Sequence, residues 1–131
     1  MDTPFIRVAA VLGAVAVMAG AFLAHQLKQR MPTAAIEVYE TAVRYQFYHV
    51  FALLACGILS ERFPGIQIKR AGFFFIFGIL LFSGSLYTIS ILMANGMNVP
   101  LVLGILTPLG GTSFIIGWIF LTLAIRSERP S

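Results

Sequence analysis

Hydrophobic and polar positions along this chain fall into long blocks rather than short alternations. Val8 to Ala24 is an apolar run bounded by Arg7 and by His25-Gln26-Leu27-Lys28. Ala71 to Met93 carries no charge, and Val99 to Ile125 closes with Arg126, Glu128 and Arg129. A membrane helix takes about 20 predominantly apolar residues, so these three blocks are long enough to span. A fourth block is mixed. Phe47 to Leu59 is apolar apart from Tyr48 and His49, and is too short by itself. It crosses only if Thr41, Arg44, Tyr45 and Gln46 also enter the membrane, shielded by protein. The expected fold is therefore all-α: a polytopic, four-transmembrane-helix bundle over residues 1–131, with spans at about 6–26, 41–60, 71–93 and 99–125.

Two punctuated stretches refine this outline. Pro32 followed by Thr33 predicts a helix start, with Thr33 as N-cap and Glu37 in the early turns. That segment is expected to form a short outer-surface helix continuing, or bending, into span two. Thr107-Pro108 with Gly110-Gly111 predicts a kink or break in span four, because proline removes a donor and crowds the preceding turn. In the first block Ala9, Gly13, Ala16, Gly20 and Ala24 draw a smooth strip on one helix face, where a neighbouring backbone can approach. A cleaved signal peptide has no use for such a strip, although Ala19-Gly20-Ala21 offers a cleavage-like pattern.

Composition agrees with the blocks. Apolar residues make up 59% of the chain and charged residues 11%, which is too little polarity for the surface of a water-soluble domain. The nine Lys/Arg against five Asp/Glu give a net charge of +4. In a soluble protein that balance would raise nucleic acid as a partner, but the basic residues lie scattered in interhelical segments, without a stripe. They read instead as positive-inside signals. Arg7, Arg62, Lys69, Arg70, Arg126 and Arg129 share one side and Lys28 with Arg30 the other, placing both termini in the cytoplasm. Cys56 is alone, so neither a disulfide nor a thiolate metal site is expected.

Span two carries the candidate chemistry. Projected at 100° per residue, Val43, Phe47, Val50 and Leu54 form one side, expected to face lipid. Thr41, Arg44, Tyr45, Tyr48 and His49 form the other, with Glu40 and Gln46 at its edges, and this polar flank is expected to turn inward. Glu40 and Arg44 have the spacing and order of a helical ion pair. Tyr45 and His49 are spaced for a hydrogen bond. His49 lies about 15 Å from Leu59 along the helix, near mid-membrane, whereas His25 ends span one, so the two imidazoles differ in depth. Two histidines without converging thiolates or carboxylates make a thin coordination shell, and no metal or cofactor is expected. Ser83, Tyr87 and Ser90 line one side of span three with Gly72 and Ala94, as interhelical hydrogen bonding requires. Phe73 to Phe77 supplies aromatics for an interfacial belt. Ser83-Gly84-Ser85 has neither the strand-turn-helix context nor a base to serve as a nucleophile.

Four stretches together resemble a known family: Gly20 to His25, Glu40 to His49, Gly78 to Tyr87, and Thr107 to Gly111 with Gly117-Trp118. The chain is similar to the small four-span membrane proteins of domain of unknown function 423, which include the transmembrane protein 256-like proteins. Leu23 departs from the glycine that this family often has before Ala-His. The resemblance implies an inner- or plasma-membrane protein with no agreed activity. It also implies that His25, Glu40, Thr41, Tyr45, Gln46, His49, Ser83, Tyr87, Thr107 and Pro108 belong to a shared pattern.

The residues support two functional expectations. The first is a non-enzymatic structural, accessory or complex-associated membrane protein whose partners are the lipid bilayer and other membrane-protein subunits, or further copies of itself. The alternative is a small-ligand, quinone or proton binding or transport protein using the outward-facing polar cluster of span two. No phosphate loop, zincin motif or dinucleotide fingerprint points to an enzyme.

Overall fold

The computed structural model describes residues 1–126, so Glu128 and Arg129, assigned above to the close of span four, lie outside the described residues. Helix α1 covers Thr3–Phe22 and ends in a π turn, Leu23–Leu27. Helix α2 covers Thr33–Leu59. Helices α3 (Ile66–Gly78) and α4 (Gly84–Ala94) are joined by a second π turn, Ile79–Ser83, into one rod, and α5 covers Leu101–Arg126. The rods Thr3–Leu27, Thr33–Leu59, Ile66–Ala94 and Leu101–Ile125 are each long and apolar enough to cross a membrane.

Local chemistry sets the helix ends. Asp2 caps α1 by accepting from the Phe5 amide at 3.3 Å, and Pro4 sits in the first turn, where its missing N–H costs nothing. Thr33 does not cap α2; it is the first helical residue. Pro32 holds the cap position in an extended conformation, with no side-chain capping bond. The segment from Thr33 runs directly into span two as one helix of 27 residues. After α4, Gly96 at φ 66° closes a Schellman turn in which the Met97 amide donates to Leu92 and the Gly96 amide to Met93.

Of the kink or break expected in span four, the break is absent: α5 passes through Pro108 as one helix. Proline withholds one bond there. Meanwhile the Thr107 and Thr112 hydroxyls bond the carbonyls of Leu103 and Pro108 at 3.1 and 2.8 Å. The span interrupted in its middle is the third, through its π turn. Gly110 of α5 lies so close to this turn that an added Cβ would overlap the Phe82 amide and sit 2.7 Å from its Cα.

Helix α2 and the α3–α4 rod form the middle of the molecule, with α1 packed chiefly on α2 and α5 chiefly on α3 and its π turn. The chain's start, the α2–α3 connection and the last turns of α5 meet at one end. There the Asp2 amide donates to Gly57 at 2.9 Å, and a small cleft brings Phe63 and Gly65 beside Ala124. The larger apolar cluster, including Phe5, Leu53, Cys56, Ile68, Phe75 and Phe114, occupies the half nearer that end. A smaller one of Leu23, Met31, Ala35 and Tyr39 closes the other. On α1 the smooth strip is inward at Ala9 and Ala16, while Leu23 rather than Ala24 continues it. Phe75 belongs to the core, and only Phe73 and Phe77 project outward as interfacial aromatics would.

Candidate functional site

Most buried positions of α2 follow a heptad spacing, Ala35, Tyr39, Ala42, Gln46, His49, Leu53 and Cys56, with Val50, Ala52 and Gly57 buried beside it. This seam decides which polar side chains enter the bundle. Gln46 and His49 do, at 2% and 5% exposure. Arg44, Tyr45 and Tyr48 are exposed on the perimeter, so the polar flank of span two is not turned inward as a unit. The expected lipid side is also corrected: Val50 is buried, and Val43 and Val50 lie opposite Gly20 and Gly13 of α1. A 100° projection finds the apolar side of a helix, but it does not show that α1 covers part of that side here.

Gln46 is a three-helix junction. Its Nε2 donates to the Leu12 carbonyl of α1 at 2.8 Å, and its Oε1 accepts from the Tyr87 hydroxyl of α4 at 2.7 Å. Around it, Tyr39 donates to the Ala19 carbonyl at 2.9 Å and Ser83 donates to the Ala42 carbonyl at 2.8 Å. Ser85 and Thr107 share a hydrogen bond at 2.6 Å, and Ser113 donates to the Phe74 carbonyl at 2.7 Å, which together tie α5 to the third span. Each of these side chains finds its partner inside the protein, as an apolar solvent demands.

His49 holds α2 to α5. Its Nδ1 lies 2.8 Å from the Tyr45 backbone carbonyl, so the expected Tyr45–His49 bond runs to the main chain and not to the phenol. The Trp118 indole donates to Nε2 at 3.1 Å. An indole can only donate, which assigns Nε2 as acceptor and Nδ1 as the protonated nitrogen of a neutral ring. The Phe114 ring stacks on the imidazole at 3.4 Å between centroids and 8° between planes. Beside this pair a lateral cleft of about 450 Å³ is lined by Tyr45, His49, Phe82, Phe114, Ile115 and Trp118.

The remaining candidates do not converge. His25 is exposed on the π turn that ends α1 and shares no contact with His49. Thr41 is half-buried and bonds its own backbone, at Glu37. Glu40 and Arg44 form no ion pair, although their spacing allows one, and Arg44 has no hydrogen-bond or ionic partner among the described residues. An arginine at the centre of a transmembrane helix costs about 2.5–3.5 kcal/mol on insertion scales, so this solitary placement is a strong feature. Among the described residues no three His, Cys, Asp or Glu side chains gather as a metal site would need.

Sequence reasoning missed Trp118, Phe114 and Tyr39. Two signals point to them: a lone tryptophan in an apolar helix must find an acceptor for its N–H, and Tyr39 falls on the same heptad as Gln46 and His49.

Residues 19–111 match the family model described as "Protein of unknown function (DUF423)". The chain is 39% identical over 121 residues to the UPF0382 membrane protein YwdK of Bacillus subtilis, covering 92% of this chain and 94% of that one. It is 41% identical over 120 residues to UPF0382 membrane protein SAB0533 of Staphylococcus aureus, covering 92% and 93%. A UPF0382 membrane protein of Haemophilus influenzae is 35% identical over 124 residues, covering 92% of each chain. No solved structure matches.

Proposed function

The chain belongs to the DUF423 family of membrane proteins, and from that premise we propose that it acts without catalysis, as a structural or accessory subunit. It works through helix contacts inside the plasma or inner membrane, with both termini cytoplasmic. One observation carries this reading: the polar side chains of the α2 seam are engaged within the protein, by backbone carbonyls and by Tyr87 and Trp118. Both nitrogens of His49 are engaged, and so are both ends of the Gln46 amide. A proton path needs a titratable group with a free site and a next partner; neither His49 nor Gln46 offers one toward Glu40. The network supports a rigid scaffold over ligand handling.

Orientation rests on charge. Arg7, Arg62, Lys69, Arg70 and Arg126 stand at or near the end where the chain begins and α2 meets α3, while Lys28 and Arg30 stand at the other. Cytoplasmic loops carry the excess of basic residues. Two measurements test the proposal. Mild detergent extraction of the tagged full-length chain should bring down other membrane subunits or further copies; recovery as a solitary monomer overturns it. Reporter fusions at both ends should read cytoplasmic, and an external readout at either end overturns the orientation.

A further inference from the structure

Arg44, exposed, and Glu40, half-buried, lie four residues apart on one face of α2, with no partner among the described residues. Their depth follows from two contacts. Ser83 bonds the Ala42 carbonyl, setting that turn of α2 level with the π turn of the Ile66–Ala94 rod. Val43 stands opposite Gly20, well inside the Thr3–Leu27 rod. Ser83 is about 16 Å from the Ala94 end, and Arg44 is about 3 Å deeper still, near the middle of the bundle. Its Cα–Cβ bond tilts toward the start of α2, which aims the guanidinium back toward the level of Glu40. A charge at that depth is normally paired with another protein group. Among the described residues of one copy, nothing answers it.

We infer that this face is a contact between two copies of the chain, in which Glu40 of each copy pairs with Arg44 of the other. The inference rests on the helix-contact reading above and names one partner for it. Two charges of opposite sign on one face make that face self-complementary, as a twofold interface requires, because the axis brings the same patch to both sides. A twofold axis along the membrane normal keeps both copies in the same orientation and forms the pair twice. Thr41, Arg44, Tyr48, Phe51, Ala55 and Ile58 continue this face at heptad spacing, opposite the seam already buried, and so supply a second packing edge.

The experiment uses the full-length chain in native membranes. A cysteine is placed by Thr41→Cys and oxidised with copper-phenanthroline; the native Cys56 is buried and does not report. Copies with the natural charges should form a disulfide-linked dimer. Adding Arg44→Glu to every copy, or Glu40→Arg to every copy, should lower the linked fraction about tenfold through like-charge contact. Co-expressing the two charge variants should restore it, because each acid then faces a base. Emission from Trp118, the chain's one tryptophan, confirms that each variant keeps the α2–α5 contact. Absence of linkage between natural copies overturns the inference, as does linkage indifferent to the charge reversals. A native mass spectrum showing a monomer with retained anionic lipid overturns it as well. If another membrane subunit co-purifies while self-linkage is absent, this inference falls and the helix-contact reading stands.

Discussion

Trp118 of α5 donates its indole N–H to Nε2 of His49 on α2, and Phe114, one turn earlier on α5, lies flat on the same imidazole. The two contacts need each other. Stacking fixes the ring plane, and the indole bond fixes which nitrogen carries the proton. Replacing His49 with alanine therefore opens a void beneath Phe114 and strips the indole of its acceptor. The expected loss is about 2–4 kcal/mol, read from thermal unfolding in detergent by Trp118 emission. Unchanged unfolding would show that the pair contributes nothing.

The Gln46 junction is tested by a double-mutant cycle with Gln46→Leu and Tyr87→Phe. Each single change leaves a polar atom unanswered in an apolar setting, and the double change leaves fewer. Coupling of about 0.6 kcal/mol, and at most about 1.7, is expected from interhelical bonds in membranes. Strictly additive effects on unfolding would mean that the bond between Oε1 and the hydroxyl is not made.

Gly110 and Gly111 are neighbours with opposite expectations. An added methyl at Gly110 strikes the Phe82 backbone, whereas at Gly111 it lies 3.8 Å from the edge of the Phe82 ring. Gly110→Ala should push α5 off the π turn at a cost of about 1–3 kcal/mol, and Gly111→Ala should be nearly neutral. Equal stabilities of the two variants would contradict the close approach.

His25 is exposed and apart from the Gln46 and His49 networks. His25→Ala should therefore change unfolding by less than about 0.5 kcal/mol, in contrast to His49→Ala. A large loss would place His25 in a contact that the fold does not contain.

Part of the candidate site is legible in the sequence, and the misplaced residues share one cause. Ser83, Tyr87 and His49 are polar residues in apolar spans, which the sequence marks as requiring partners, and the structure joins them, with Gln46, to neighbouring helices. Arg44, Tyr45 and Val50 lie on sides other than those a helical projection gives them. A helical projection ranks faces by polarity, but polarity does not say where α1 and α5 dock. Heptad spacing does carry that information, because it follows the line along which two helices remain in contact. Trp118 was passed over because its partner lies 69 positions away in the chain.

Composition and block length by themselves determined that this chain is helical, membrane-embedded and four-spanning, because a lipid solvent admits few other arrangements of so apolar a sequence. Tertiary structure alone decided that span three swells while span four runs through its proline, since the close seating of Gly110 on Phe82 is a contact between distant segments. It also decided that His49 is enclosed while Arg44 is left at the edge. A residue's chemistry sets what it needs, but only the docked neighbours determine whether that need is met inside the protomer.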